Sequence, residues 1–344
     1  MEKNLLNLIS SLNSESFSKE ERAVLRDSLQ KSLKPEEIMQ SYSNLLLLCL
    51  KHDCLQKYDS YFRDYATAIV GKIDNLQERL EQTDILLSKT QQLGALLTQN
   101  KVDTIVFGGL TTRLFNPNCV ERPHGDIDFK VNATQVSGFL QCLDQVFKID
   151  KVYDRRLGYS QIEDQASRSG RLGIPRVKTM LVQTEDGQRI DLFLYTRNEE
   201  GTYCDFGVKP IPNDNNEIEM RGFSRTNPNQ DTSFVVEDIT TYSPEKLFDS
   251  KFSMITQGKA FREKDFVDLY NLSQVVDYTK LTEVMQASSE AVKGEFVEEP
   301  DGNNHLSDAE YEKNNFNAVP FAINHDDVVK VADASTFNDS MEME

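Results

Sequence analysis

Apolar side chains recur at intervals of three and four positions through the first hundred residues, which is the spacing of one helix face. The pattern is clear at Leu5, Leu8, Ile9 and Leu12. Ser18, followed three positions later by Glu21, has the spacing of a capping box. Pro35 with acidic residues after it is typical of a first helical turn. An N-terminal helical region is therefore predicted over residues 1–100.

From residue 101 the pattern changes to short apolar runs that alternate with turns and helical stretches. The predicted elements are a strand at 104–107, a helix start at 110–115, a strand at 125–131, a helix at 136–147, and strands at 176–182 and 189–195. An Asp-Gly pair within 185–188 predicts a hairpin between the last two strands. Residues 197–238 are rich in Pro, Asn and Gly, so loops are predicted there. Strands mixed with helices predict an α+β core with a small mixed sheet over residues 101–240.

Helical spacing returns after Ser243, which precedes a proline at a first helical turn. We expect a C-terminal helical block over residues 241–290. The remainder, residues 291–344, is polar and acidic and is predicted to be mostly disordered.

Negative charge is concentrated at the C-terminal end. The net charge is −18, and the segment from Gly294 to Glu344 contains 13 acidic and 2 basic residues. A chain this acidic is not built to coat a nucleic acid over its whole surface. A basic segment at residues 151–178 could still bind phosphates or an RNA acceptor, or it could simply balance surface charge. The acidic tail fits an interaction tail, a secretion signal of a bacterial effector, or solvating disorder.

Several classes of protein are disfavoured by the sequence. The longest apolar run, Leu45–Leu50, is far shorter than the ~20 residues of a membrane span. The N-terminus has no basic region followed by a long apolar stretch, so no signal peptide is predicted. The five cysteines have no metal or redox spacing and fit a reducing compartment. We therefore expect a cytoplasmic protein, with secretion as an effector as the alternative.

Three carboxylates on short strands are the strongest chemical signal. Asp126 and Asp128 are two positions apart and share one strand face, and Asp191 lies in an otherwise apolar strand. If these strands are neighbours, the carboxylates converge and repel one another unless a cation is present. Mg²⁺ prefers such oxygen ligands. The alternative is an Asp-x-Asp pair that arose by chance on an exposed, acidic strand face.

The order of these motifs resembles the nucleotidyltransferase superfamily with the polymerase-β-like fold. The match comprises the Gly108-Gly109 turn, the strand that contains Asp126 and Asp128, and the later strand with Asp191. The C-terminal block, with Lys251 and the run 262–270, is similar to abortive-infection toxins of the AbiEii type. This resemblance covers roughly residues 100–275.

The resemblance implies a role for each matching residue. Asp126 and Asp128 would bind the metals, and Asp191 would complete the second metal site and deprotonate the acceptor hydroxyl. Lys251 would neutralise developing phosphate charge; its alternative is a solvated helix face. The other implied nucleotide-binding residues are Gly108, Gly109, Thr111, Arg122, Asp265 and Asp268. Of these, the two glycines would hold the triphosphate, and the two aspartates would position Lys251 or an arginine.

The expected function is nucleotidyl transfer that depends on Mg²⁺ or Mn²⁺. An NTP, for example ATP, would donate its nucleoside monophosphate to a hydroxyl of an RNA end, a protein or a small molecule, and release pyrophosphate. The toxin resemblance implies an antitoxin or a host partner. Two alternatives remain: a glycosyltransferase that binds a sugar-nucleotide through Mn²⁺, and a nucleotide-binding protein without catalytic activity.

Overall fold

The computed structural model describes residues 2–12, 16–23, 34–116, 119–132, 135–155, 176–177, 179–197, 203–212, 218–226, 233–256 and 262–293. Within these ranges the chain is mixed α+β, as predicted. The described residues belong to two compact units. The first unit draws on Met1–Leu86, Gly108–His124 and Tyr242–Ser288, and the second on Leu87–Phe107, Gly125–Thr241 and Ser289–Glu344.

Helices predominate in the first unit. In chain order, the helices that the structure describes from end to end are α1 (Glu2–Ser11), α2 (Pro35–Lys51), α3 (Leu55–Val70), α4 (Leu76–Gln99), α5 (Thr112–Phe115), α6 (Val136–Phe147), α7 (Pro244–Thr256), α8 (Glu263–Ser273) and α9 (Tyr278–Lys293). All except α6 lie wholly or partly in the first unit. Tyr42 of α2 stacks on Tyr65 of α3 at 4.1 Å between ring centroids, and Phe266 of α8 lies 4.7 Å from Tyr65. These buried rings join three helices in one core.

The predicted capping box is present before α2. The Ser18 backbone N–H donates to the Glu21 carboxylate, and the Glu21 backbone N–H donates to the Ser18 hydroxyl, both at 3.0 Å. Lys51 Nζ also donates to Glu21 at 2.8 Å, and His52 Nε2 lies 3.1 Å away. The hydrogen bond from Lys51, followed by that from the Ser18 backbone, lowers the pKa of Glu21 to about 2.

We expect this carboxylate to make the first unit sensitive to acid. Because the folded pKa of Glu21 lies below its ordinary value of 4.5, the stabilisation is complete above that value and is lost as pH falls toward 2. Because Lys51 is exposed and solvent screens its charge, the free energy of unfolding should fall by only about 1 kcal/mol when Glu21 is protonated. Glu21→Gln should flatten the pH dependence of the unfolding free energy between pH 5 and pH 3. Equal slopes for both proteins in urea titrations followed by circular dichroism would contradict this assignment.

The strands form one mixed sheet, which lies in the second unit apart from the last residue of β10. They are β1 (Thr104–Phe107), β2 (Asp126–Asn132), β3 (Ile149–Arg155), β4 (Arg176–Val177), β5 (Thr179–Thr184), β6 (Arg189–Arg197), β7 (Tyr203–Pro212), β8 (Ile218–Thr226), β9 (Ser233–Val236) and β10 (Ile239–Tyr242). The order along the sheet is β3-β5-β6-β2-β1-β10-β9, and β7 pairs with β4, β6 and β8. β2 is antiparallel to β1 and parallel to β6, which places it in the middle of the sheet.

Strict alternation along β2 gives it one apolar face and one polar face. Ile127, Phe129 and Val131 are fully buried, whereas the polar positions that alternate with them, Asp126, Asp128, Lys130 and Asn132, are half-buried. Phe129 packs against Phe139 of α6 at 5.0 Å between ring centroids. The helix therefore covers the apolar face, and the carboxylates of β2 are on the opposite face.

The prediction of loops over 197–238 was wrong, because β7, β8 and β9 lie there. β7 and β8 are paired from Cys204 opposite Thr226 to Pro212 opposite Ile218. Pro, Gly and Asn weighed against strands in the sequence, but the backbone pairing of a long hairpin outweighs these local preferences. The predicted hairpin at 185–188 is confirmed, with Gly187 at φ +81° in its turn.

Smaller differences concern the ends of elements. The helix predicted from Leu110 begins at Thr112 and is a single turn, and the strand predicted at 176–182 is described as β4 and β5. The tail after residue 293, and residues 156–175 and 178 of the basic segment, lie outside the described residues. In the described part of the chain, Cys49, Cys54, Cys119 and Cys142 are free thiols, and no helix is long and apolar enough to cross a membrane.

Candidate functional site

The three predicted carboxylates lie on adjacent strands of the second unit. In the parallel β2–β6 pair, Asp128 is directly opposite Asp191, and Asp126 is directly opposite Arg189. Cross-strand partners in register share a sheet face, and neighbouring strands are ~4.8 Å apart. The sheet therefore brings the three carboxylates together, because β2 and β6 are neighbours although about sixty residues separate them in sequence.

Asp191 is the most buried of the three carboxylates. It is 9% exposed, whereas Asp126 and Asp128 are half-buried. Its Oδ2 lies 3.8 Å from the Nε of Arg189, the cation two positions earlier on β6. Phe107 and Phe193 are in ring contact at 5.2 Å on the same face. The carboxylates thus lie in surroundings of mixed polarity, where charges are screened less than in water.

The oxygen donors on this face suit Mg²⁺ or Mn²⁺. Among the described residues, no group of three or more His, Cys, Asp or Glu side chains is placed so that it could hold a metal ion. Mg²⁺ commonly binds through only one or two carboxylates and takes its remaining ligands from substrate phosphates and water. Asp128 and Asp191, as neighbours in register, provide such a pair of ligands.

A buried ion-pair cluster in the first unit contains most of the other predicted residues. Asp268 receives two hydrogen bonds from the Arg122 guanidinium, each 2.6 Å long. Lys251 Nζ lies 2.7 Å from Asp265 Oδ1 and 2.9 Å from Asp268 Oδ2. All four side chains are buried. Asp265 and Asp268 therefore contact Lys251 directly, as the positioning role predicted for them would require.

These contacts set the protonation states in the cluster. Burial acts against the charged form of Asp268, but Arg122 and Lys251 outweigh it and hold the pKa of this carboxyl well below its usual range. Burial likewise opposes the charge of Lys251, and the two aspartates outweigh it and raise the pKa of the amine. Asp268 and Lys251 are therefore charged at neutral pH, and each of these buried charges has an opposite charge beside it.

Asn271 connects α8, which carries both aspartates, to the segment that precedes Arg122. Its side-chain amide donates to the Val120 carbonyl at 3.0 Å, and its carbonyl oxygen accepts from the Val120 N–H at 2.9 Å. Asn116 adds a hydrogen bond to the Asn271 backbone carbonyl at 3.3 Å. The two hydrogen bonds of the Asn271 side chain thus fix the backbone at Val120, two residues before Arg122. They thereby help to hold the Arg122 guanidinium opposite Asp268.

Gly109 is a glycine because this cluster leaves no space for a side chain. A Cβ at this position would lie 2.1 Å from Arg122 Nη2 and 3.0 Å from both Asp268 Oδ2 and His124 Cε1. The neighbouring Gly108 has φ +86°, a left-handed conformation that glycine adopts most readily. The Thr111 hydroxyl donates to the Gly108 carbonyl at 2.9 Å. The hydroxyl of Thr111 is thus used within the turn.

Gly109→Ala should disrupt the Arg122–Asp268 ion pair. The added methyl group would displace the guanidinium from a buried carboxylate, so we expect the free energy of unfolding to fall by roughly 2–3 kcal/mol. Gly125→Ala is a matched control, since a Cβ there meets no atom within 4 Å. Urea denaturation followed by circular dichroism compares the two variants. Equal stability of both would show that Gly109 is not required for close packing.

The sequence analysis did not predict Arg189 as a site residue, although its spacing from Asp191 could have indicated it. It lies two positions before Asp191 on the same strand, and residues with that spacing share a face. The contribution of Arg262 to the ion-pair cluster was also missed; its Nε lies 2.9 Å from Asp265 Oδ2. A spacing of three residues on a helix could have indicated this pair.

No protein-family model and no curated protein sequence matches the chain. Two solved structures resemble it weakly. A lincosamide antibiotic adenylyltransferase, LnuA, in its lincomycin-bound form aligns with 53% of this chain and 92% of its own, at 16% identity and a TM-score of 0.32. An antigenic nucleotidyltransferase-like protein from Paracoccidioides brasiliensis aligns with 61% and 88%, at 13% identity and a TM-score of 0.29. Because these TM-scores are too low to carry an argument, the function must be argued from this chain's own residues.

Proposed function

We propose that this chain is a metal-dependent nucleotidyltransferase. It would transfer a nucleoside monophosphate from an NTP to an acceptor hydroxyl and release pyrophosphate. The observation that carries the proposal is the register of β2 and β6, in which Asp128 lies directly opposite Asp191 and Asp126 is two positions away on the same face. Carboxylates that share one face of adjacent strands repel one another, and a bound divalent cation offsets that repulsion.

The three carboxylates of this face would have different roles in metal binding and proton transfer. Asp128 and Asp191 would hold the ion through their carboxylate oxygens, and Asp126, two positions away on the same face, would add negative charge that attracts it. The ion, Mg²⁺ or Mn²⁺, would neutralise charge on the transferring phosphate. Asp191, the most buried of the three, would accept the proton of the acceptor hydroxyl at a carboxylate oxygen. Most of the rate enhancement would therefore come from charge and positioning.

The ion-pair cluster of the first unit would have a supporting role. Arg122 and Lys251 are buried and already paired with Asp268. Lys251 would therefore help to hold the residues around the Gly108-Gly109 turn in place. The family resemblance also implies a second role for Lys251, the direct neutralisation of phosphate charge. Gly109, which contacts this cluster closely, ties the turn that follows β1 to the Arg122–Asp268 pair.

The proposal is tested by transfer of label from a nucleotide. The protein is incubated with α-³²P-labelled ATP, GTP, CTP or UTP, with Mg²⁺ or Mn²⁺ and a cell extract. Label should move to a macromolecule or a small molecule with the wild type and not with an Asp126→Asn/Asp128→Asn variant. Sensitivity of the product to RNase or protease then gives the acceptor class, including RNA and protein. Absence of both transfer and metal-dependent NTP binding would contradict the proposal.

A further inference from the structure

Arg189 is a cation on the carboxylate face itself. It lies directly opposite Asp126 in the β2–β6 register, and its Nε is 3.8 Å from Asp191 Oδ2. Its side chain is 38% exposed, so the guanidinium is not locked into the core. Among the described residues, its buried Nε–H has no hydrogen-bond acceptor. The ion pair is thus close enough for charge attraction but lacks the short bonds seen between Arg122 and Asp268.

A loose ion pair at this place has an electrostatic consequence. Without a metal, Arg189 offsets part of the repulsion among the three carboxylates. A divalent cation at Asp128 and Asp191 would be repelled by a guanidinium at the present distance from Asp191. Because Arg189 has no hydrogen bond through its Nε and is partly exposed, moving it away from the carboxylates costs little.

We propose that Arg189 is a built-in counter-ion of the carboxylate site, which competes with the metal and is displaced when the metal binds. This inference rests on the proposed function and extends it to the regulation of the same site. Arg189 would hold the three carboxylates in place in the metal-free protein. It would also set the metal concentration at which the site fills. It is a positioning residue, since it acts through Asp126 and Asp191.

The test is direct binding of Mn²⁺ in the absence of nucleotide, followed by electron paramagnetic resonance. With the repelling charge removed, Arg189→Gln should bind Mn²⁺ roughly three- to tenfold more tightly than the wild type. Arg189→Lys, which keeps the charge, should stay near the wild-type affinity. Lys151→Gln is the matched control, because it removes an exposed cation on β3, two strands away from β6. A purely structural role of Arg189 would not increase metal affinity.

The outcomes separate this inference from the proposed function. If Arg189→Gln binds Mn²⁺ as tightly as the wild type or more weakly, while Asp191→Asn abolishes binding, the counter-ion role is wrong but the metal site is supported. Wild-type binding that Asp191→Asn does not weaken, or no Mn²⁺ binding by the wild type, would contradict the metal site itself. If Arg189→Gln and Lys151→Gln gain equal affinity for Mn²⁺, the net charge of the protein explains the gain, and this result would also overturn the inference.

Discussion

Asp268→Asn should lower the free energy of unfolding by about 3–5 kcal/mol, the largest stability effect expected in this chain. Asp268 is fully buried and accepts two hydrogen bonds from Arg122, and Lys251 lies 2.9 Å from its Oδ2. The neutral amide would leave the Arg122 guanidinium buried without a counter-charge. Lys251 would keep Asp265 as its remaining partner. Urea denaturation at pH 7, followed by circular dichroism, measures the loss.

Asp74→Asn is the control for this substitution. It makes the same chemical change at an exposed position of the same unit, so stability should change by less than about 0.5 kcal/mol. If Asp268→Asn cost less than about 1 kcal/mol, the cluster would not depend on ionic pairing. The stability loss expected for Gly109→Ala, which depends on separating Arg122 from Asp268, would then also be smaller.

Asp128→Asn should reduce the rate of nucleotidyl transfer at least about a thousandfold. The amide removes one of the two carboxylates in register across β2 and β6, and with it the charge that holds the cation. If the metal provides about 4 kcal/mol of transition-state stabilisation, its loss corresponds to roughly 10³ in rate. Because Asp128 is half-buried and asparagine has nearly the same shape, the variant should fold. Single-turnover transfer of α-³²P-labelled nucleotide measures the effect.

Asp150→Asn provides the comparison for the transfer assay. Asp150 is exposed on β3 in the same unit and lies outside the carboxylate pair, so activity should be unchanged. Circular dichroism spectra that match the wild type would show that the loss in Asp128→Asn is not due to unfolding. Comparable activity of Asp128→Asn and the wild type would remove Asp128 from the proposed metal site.

The parts of the fold that follow from local pattern could be predicted from the sequence. Helix α6 and strand β1 lie at their predicted bounds, and β2 begins and ends within one residue of them. In α6 and β2 the apolar residues recur with a strong period and form the buried face, whereas β1 is a short, continuous and largely buried apolar run. The same alternation gave the shared face of Asp126 and Asp128, because it depends only on positions two residues apart.

The parts of the fold that depend on pairing between distant segments could not be predicted from local sequence pattern. β7 and β8 form a long antiparallel hairpin although prolines and glycines interrupt their sequences. The Arg122–Asp268 pair joins residues that are 146 positions apart. Neither local propensity nor periodicity encodes which distant charge will be buried beside another. For Asp128 and Asp191, two separate strands could be predicted from local pattern, and only the sheet order made these strands neighbours.

The central claim is that the group transferred is a nucleoside monophosphate, and a paired label tests it most directly. The protein, Mg²⁺ or Mn²⁺ and a cell extract are incubated in parallel with α-³²P- and γ-³²P-labelled samples of the same nucleotide. The account predicts that α-label moves to the acceptor while γ-label is released as pyrophosphate, with both lost in Asp128→Asn. Transfer of γ-label to the acceptor, or release of a labelled nucleoside diphosphate without transfer, would contradict it.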